Sequence, residues 1–481
     1  MDREGRNGEG ASGGGAIRLR MSEWQTAAPD PRDPLGSRLV GLNLSAHPGA
    51  RRLAEELSRE GILEVLELVD GLHIRTSSYV GVLRLGPLHI SIEPKIPGPA
   101  LLSLLRYAYG LRQLRLVGEV DITAGQLSFP DLLLHQLAAE AGELVARGLH
   151  RRYIRQHEVL PAPRGRIDFA TLARRHPAEA ALPCWHHPRL ADCLPNQVLL
   201  AGLQFGTTIT EDVALRGNLR RVAALLADDV TPARLDRPTF RRLHLQMDRL
   251  TRSYRPALTL IEMLVEGQGL SADGEAHPLQ LPGFLFDMNR FFQGLLTRFL
   301  TENLEGYTVR PEYRLTGMLG YHPDYNPRGR ASPTPRPDML VVPATGAAGP
   351  SGSGAAATPV VLDAKYRDLW ENPPPRDMLY QLAMYALSMP GRSAAILYPT
   401  TCPAASEQRV EVRDPASGTR HALVDLRPVH IDYLASLIDG SATPSAVLLR
   451  RRRQYAHYLA FSRSPRHESS GIHPPQGCCA R

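Results

Sequence analysis

From Leu63 to Ile96 apolar and polar positions alternate, in LEVLELVDGLHIRTSSYVGVLRLGPLHISIEPKI, around Asp70-Gly71 and Gly86-Pro87. A period of two broken by turn residues predicts a small antiparallel β unit. Past Pro97-Gly98-Pro99 the spacing becomes helical in LLSLLRYAYGL. Helical spacing returns over 131–152, over 190–227, where Pro195-Asn196 opens the stretch, and over 240–266. Between the first two of these, RRYIRQHEVLPAPRGRIDFATLARR is basic and extended. A Gly- and Pro-rich break at 267–283 sets off a last segment with a different rhythm. It reads as a helix over 284–300, strands near 307–315, at 336–342 and at 359–366, a helix over 376–388, a strand at 394–399, then further strands and a helix near 429–438. This mixed order implies an α/β domain with a central sheet.

The pattern divides the chain. Residues 1–36 are rich in Gly, Pro and charge with no apolar period, so they are expected to be disordered, with Met21 as an alternative start inside them. A small β-rich domain suited to partner contact follows at 37–98, then a mainly helical region at 99–270 and an α/β domain at 284–461. That domain contains a low-complexity insert, 343–359, expected to be a flexible loop between two strands. Residues 462–481 are expected to form a disordered tail.

Composition narrows the class. The chain has 481 residues, 43% hydrophobic and 22% charged, which excludes collagen, coiled coil and wholesale disorder. No apolar run is long enough to span a membrane, and the polar, Gly-rich start does not read as a signal peptide, so the expected location is the cytoplasm. Five cysteines, two of them adjacent at Cys478 and Cys479, do not read as a disulfide framework. A formal charge of +7 and a pI near 9.3 favour a polyanionic partner. Of the 56 basic residues only Lys95 and Lys365 are lysines. Where arginine has replaced lysine so thoroughly, a surviving lysine is a candidate for work that needs a compact ammonium.

Lys365 falls within PVVLDAKY, two residues after Asp363, so both side chains project from one face of the predicted strand. The preceding strand opens with Arg336-Pro337-Asp338, and if the two pair as a hairpin, Asp338 lies beside them. Two carboxylates with one ammonium are the groups that Mg²⁺-assisted phosphodiester hydrolysis requires. A lone D-x-K reads by default as a surface ion pair. Here the apolar run VVL precedes the charges, the lysine is one of two in the chain, and the following helix carries Gln381 and Tyr385 four apart on one face.

RPDMLV, VLDAKY and YQLAMYA together resemble the PD-(D/E)xK nuclease core with the Q-x-x-x-Y helix of RecB-like nucleases. Over roughly 60–461 the order ISIEPKI, LLRYAYGL, RGRIDF, LPNQVLL, FLFDMNRFF resembles the McrC family, the nuclease subunit of McrBC modification-dependent restriction systems. The resemblance implies a restriction-endonuclease-like mixed sheet flanked by helices at 284–461. It further implies Asp338 and Asp363 as ligands of Mg²⁺, with Mn²⁺ as a substitute, Lys365 as the catalytic lysine and Gln381 as the residue that positions it or the phosphate. The implied partners are DNA, carrying methylated bases, and a McrB-like AAA+ GTPase in a hetero-oligomeric complex serving antiviral defence. This chain has no G-x-x-x-x-G-K-[ST] of its own. One departure stands out: Gln293 occupies the place of a family glutamate, and Asp287, six residues earlier, is off the same face. The alternative reading is therefore a catalytically silent accessory subunit that binds DNA and activates the AAA+ partner.

Other features are weaker. Arg164, Arg166, Arg174 and Arg175 could face phosphates or form a solvated face. Cys184, His186, His187 and Cys193 in CWHHPRLADC lack the two separated pairs of a zinc site, which makes packing the default. Arg450 to Arg453, ahead of Tyr455 and Tyr458, could contact DNA or be a solvated helix end. Lys95, two residues from Glu93 on a strand end, is expected to pair with Glu93 or to grip the partner.

Overall fold

The computed structural model describes residues 17–111, 128–174, 181–270, 279–280, 283–344, 358–438 and 445–462. The expectations for residues 1–16, for most of the insert at 343–359, for the tail beyond 462 and for Arg175 lie outside these residues.

Two small sheets form the N-terminal unit. One orders Ile17–Ser22, Leu88–Glu93, Tyr79–Leu85 and Gly283–Asp287; the other orders Thr26–Ala27, Gly71–Thr76 and Leu63–Leu68. The alternation read from Leu63 onward produces these strands, and Leu72, Ile74, Leu83, Leu85, Ile90 and Ile92 from their inward faces share one core. Two expectations need correcting. Residues 17–36 are not disordered: Ile17–Ser22 runs parallel to Leu88–Glu93 and buries Leu19 and Met21, so Met21 sits inside a strand. Those two inward residues, flanked by arginines, are too few to register as a period. Residues 284–287 are not helical either. Gly283–Asp287 pairs antiparallel with Tyr79–Leu85, and the helix Met288–Asn303 starts only after it. The apolar run FLFDMNRFF satisfies both spacings, and a distant strand decides between them. Gly81 permits the pairing, because at φ 138° a Cβ there would stand 2.1 Å from the Phe284 carbonyl oxygen.

The middle region is built of helices with short polar caps. Ser128, Asp212 and Asp236 each accept backbone N–H bonds at the starts of Phe129–Arg147, Val213–Ala227 and Arg237–Gln246. The stretch 240–266 is two helices rather than one, Arg237–Gln246 and Arg255–Gln268. Pro256 explains the break, since it lacks the N–H an interior position needs and fits only a first turn. The basic segment 151–174 contributes short strands, with Gln156–Leu160 and Arg166–Ile167 flanking Leu182–His186.

A six-stranded mixed sheet closes the chain, in the order Tyr307–Pro311, Met339–Pro343, Val360–Ala364, Ser393–Thr400, Arg420–His430, Gln408–Arg413. Val360–Ala364 runs antiparallel to Met339–Pro343 and parallel to Ser393–Thr400. Side-chain alternation divides its two faces. Met339, Leu362, Ala364 and Leu397 join the large core with Phe292, Leu295 and Leu296 of the helix Met288–Asn303. Leu340, Val361, Ile396 and Tyr398 pack on the other side against Leu382 and Tyr385 of the helix Arg376–Ser388.

Candidate active site

Asp363 and Lys365 lie at the end of the central strand on the face covered by Arg376–Ser388, opposite to Leu362, Ala364 and Tyr366. The pairing Met339 with Leu362 puts Asp338, one residue further out, opposite Asp363. The three charged groups thus converge from adjacent antiparallel strands, and Asp338 Oδ2 accepts the Ala364 N–H at 2.7 Å. Lys365 Nζ stands 2.8 Å from Asp363 Oδ2. Apart from this ion pair, the buried Oδ2 has no partner. Asp363 is 1% exposed, whereas about a third of the Lys365 side chain reaches solvent. Gln381 Nε2 donates to the Tyr385 hydroxyl at 3.0 Å.

The electrostatics follow from this crowding. Burial, then the neighbouring Asp363 carboxylate, push Asp338 up to about 6, against the pull of Lys365 and the Ala364 N–H. Burial opposes the charge on Lys365, but Asp363, Asp338 and Tyr385 outweigh it and raise the ammonium above its ordinary value. Burial also raises Tyr385, with Asp363 and Asp338 adding to it and the Gln381 bond opposing. Two buried carboxylates that resist sharing negative charge, balanced by one ammonium, form a donor set suited to a hard divalent cation. Mg²⁺ binds through one or two carboxylates and keeps waters or phosphate oxygens elsewhere. Among the described residues no group of three or more His, Cys, Asp or Glu is gathered for a metal; Asp338 and Asp363 are a pair that could hold one.

Among the described residues no hydrogen bond ties Gln293 to this set of Asp338, Asp363 and Lys365. It is half-buried on Met288–Asn303, the helix that packs on the opposite face of the sheet. Asp287 caps that helix, accepting from the Asn289 and Arg290 N–H groups, and burial raises its carboxyl. Lys95 does not pair with Glu93, whose partner is Arg20. The Lys95 side chain is exposed, and its backbone N–H donates to Glu23 Oε1; Pro94 ends the strand pairing and turns the segment toward Glu23.

Several residues around the site escaped the sequence reading. Glu312, in the left-handed region at φ 46°, follows the edge strand; its N–H donates to the Asp338 carbonyl at 2.8 Å, and its carboxylate pairs with Arg336. Tyr366, directly after Lys365, is held by Asn289, Trp24 and Glu23. These contacts join positions far apart in the chain and leave no local pattern.

Elsewhere, Arg155, Arg164, Arg166 and His187 line an open cleft of about 570 Å³ beside Trp185, whose ring lies 4.1 Å from the Arg155 guanidinium carbon. Cys184 and Cys193 are buried, and His186 Nε2 meets Glu158 at 3.1 Å. In the four-arginine run, Arg452 donates to the Leu437 carbonyl and Arg453 pairs with Glu305, while Arg450 and Arg451 are exposed.

Fold and cluster define an α/β protein whose C-terminal mixed sheet, flanked by helices, carries two carboxylates and a lysine at adjoining strand ends. The chain belongs to the family described as McrBC 5-methylcytosine restriction system component, whose model matches residues 74–399, more than half its length. Among solved structures it is similar to a chain of the refined half-complex from the tetradecameric assembly of Thermococcus gammatolerans McrB AAA+ hexamers with bound McrC. That likeness has 19% identity over 91% of this chain and 99% of the other, with a TM-score of 0.58. A chain of the cryo-EM structure of the Thermococcus gammatolerans McrBC complex is 20% identical, covering 60% of this chain and 88% of that one, with a TM-score of 0.43. No curated protein matches the sequence. Among the described residues no helix is long and apolar enough to cross a membrane.

Proposed function

We propose that this chain is the nuclease subunit of a McrBC-type restriction system, a Mg²⁺-dependent endodeoxyribonuclease that hydrolyses phosphodiesters of methylated DNA with a McrB-like AAA+ GTPase. The convergence of Asp338, Asp363 and Lys365 at one strand end carries the reading. Asp338 and Asp363 hold the cation, and the Ala364 N–H fixes the first of them. The chemistry that Mg²⁺ supplies when bound is Lewis-acid, activating water and offsetting phosphate charge. Lys365 places a compact positive charge where charge develops on the attacked phosphate. Gln381, tied to Tyr385, positions the lysine or the phosphate. The need for a partner is supported by the absence of a P-loop in this sequence and by the McrB-bound McrC in the similar structure.

A silent accessory subunit is the second reading, and Gln293 is the observation in its favour. Its weight is small, because Mg²⁺ is held by one or two carboxylates with waters or phosphate oxygens completing its shell. Calorimetric titration of the isolated chain with Mn²⁺ separates the readings. Binding that vanishes in Asp363→Ala supports the nuclease. No binding near millimolar Mn²⁺, with stimulation of the partner's GTPase intact, supports the silent subunit.

A further inference from the structure

The sheet ladder around the candidate lysine ends with the Lys365 N–H, which donates to the Leu397 carbonyl at 3.0 Å. The next residue, Tyr366, is 3% exposed and is gripped from outside the sheet at every polar group it has. Its N–H donates to Asn289 Oδ1 at 2.9 Å, and Asn289 in turn donates to Ser78 Oγ at 2.9 Å. Its carbonyl accepts the Trp24 indole N–H at 3.0 Å. Its hydroxyl donates to Glu23 Oε1 at 2.9 Å. Ser78, Trp24 and Glu23 all belong to the N-terminal unit, so a separate part of the chain fixes the backbone directly after Lys365.

Glu23 and Trp24 are built for this contact. Glu23 lies in the turn directly after Ile17–Ser22, is fully buried, and its Oε2 has no hydrogen-bond partner. Apolar surroundings are a costly place for a carboxyl unless it is used. Trp24 adopts the left-handed backbone at φ 57°, uncommon for a bulky residue, and this turn aims the indole at Tyr366. Arg367 lies over the same ring at 5.6 Å.

Resting on the nuclease reading above, we infer that Glu23 and Trp24 are positioning residues of the candidate active site, acting through Tyr366 to hold Lys365 against Asp363. The ionisation of Glu23 gives the clamp a signature. Burial pushes its carboxyl up to about 7, opposed by the Lys95 N–H, the Tyr366 hydroxyl and the Lys95 ammonium, the groups that face it. Above that pH both bonds run to a carboxylate and are charge-assisted; below it a proton occupies the carboxyl and they weaken.

The test uses the full chain with its GTPase partner, methylated plasmid and saturating Mg²⁺. In Trp24→Phe and Tyr366→Phe, kcat falls by on the order of tenfold, the rate equivalent of one lost hydrogen bond, with KM and Mn²⁺ affinity unchanged. In Glu23→Gln, which keeps an acceptor for Tyr366, the part of the rise of kcat centred near pH 7 disappears, while the part set by Asp338 near pH 6 remains. Amide hydrogen exchange gives a readout independent of cleavage: protection at Lys365 and Tyr366 drops in Trp24→Phe while that of Leu362 and Ile396 is kept. Wild-type kcat and an unaltered pH profile in these variants overturn the inference and leave the nuclease reading standing. If the wild type cuts nothing, the nuclease reading fails, and unchanged exchange at Tyr366 removes the clamp as well.

Discussion

The carboxylate of Asp338 accepts the backbone N–H of Ala364 across 2.7 Å, at the point where the two strands stop pairing through their main chains. Ala364 lies between Asp363 and Lys365, so one hydrogen bond sets the distance between the first acid and both other charges. Asp338→Asn keeps an acceptor and is expected to melt near wild type while losing Mn²⁺ affinity by about tenfold or more. Asp338→Ala removes the bond too and is expected to lose a further ~1 kcal/mol of stability. Calorimetric titration and denaturant unfolding measure the two effects separately.

The carboxyl of Asp338 also predicts how stability depends on pH. Its folded value of about 6 lies above the ordinary 3.8, so the folded chain holds this proton more tightly than the unfolded one. This contribution favours folding at low pH and is lost as pH rises from the ordinary value through about 6. A divalent cation relieves the repulsion that appears there. Mn²⁺ is therefore expected to raise the melting temperature more at about pH 7.5 than at about pH 5. An equal shift at both would mean that the cation binds elsewhere.

Lys365→Arg keeps the charge but replaces a compact ammonium, 2.8 Å from Asp363, with a broad planar group. Cleavage is expected to fall on the order of a hundredfold, the usual scale for losing one preorganised electrostatic contact, with Mn²⁺ binding retained. Lys95→Arg is expected to melt as wild type does, because the arginine keeps both the backbone N–H and the positive charge that face Glu23.

Gly81 tests the docking of the strand Gly283–Asp287, with Gly142 as the control. At Gly81 a Cβ would press on the Phe284 carbonyl oxygen, so Gly81→Ala is expected to destabilise the chain by about 2 kcal/mol or more. At Gly142, within Phe129–Arg147, a Cβ meets nothing within 4 Å, and Gly142→Ala is expected to be neutral or to stabilise by up to about 1 kcal/mol. Parallel urea melts compare them directly.

How much of this the sequence discloses depends on how far each relationship reaches. Asp363 and Lys365 are legible because two charges spaced by two at the end of VVL define a face on their own. Asp338 is legible through the strand next to it, and Gln381 with Tyr385 through helical spacing. The scarcity of lysine draws attention to Lys95 as well; its side chain is exposed and Glu93 pairs with Arg20 instead. Glu23 and Trp24 meet Tyr366 across more than 340 positions, and a buried glutamate reads in sequence like a surface one. The short strand Ile17–Ser22 is likewise visible only beside Leu88–Glu93, and Gly283–Asp287 only beside Tyr79–Leu85.

The most direct measurement is cleavage of methylated plasmid by the full chain with its GTPase partner, GTP and Mg²⁺, with wild type and Asp363→Ala run side by side. The account predicts double-strand cuts by the wild type, none on unmodified plasmid, and none by Asp363→Ala although it still stimulates GTP hydrolysis. Equal cutting by Asp363→Ala, or no cutting by a wild-type complex that hydrolyses GTP, would contradict it.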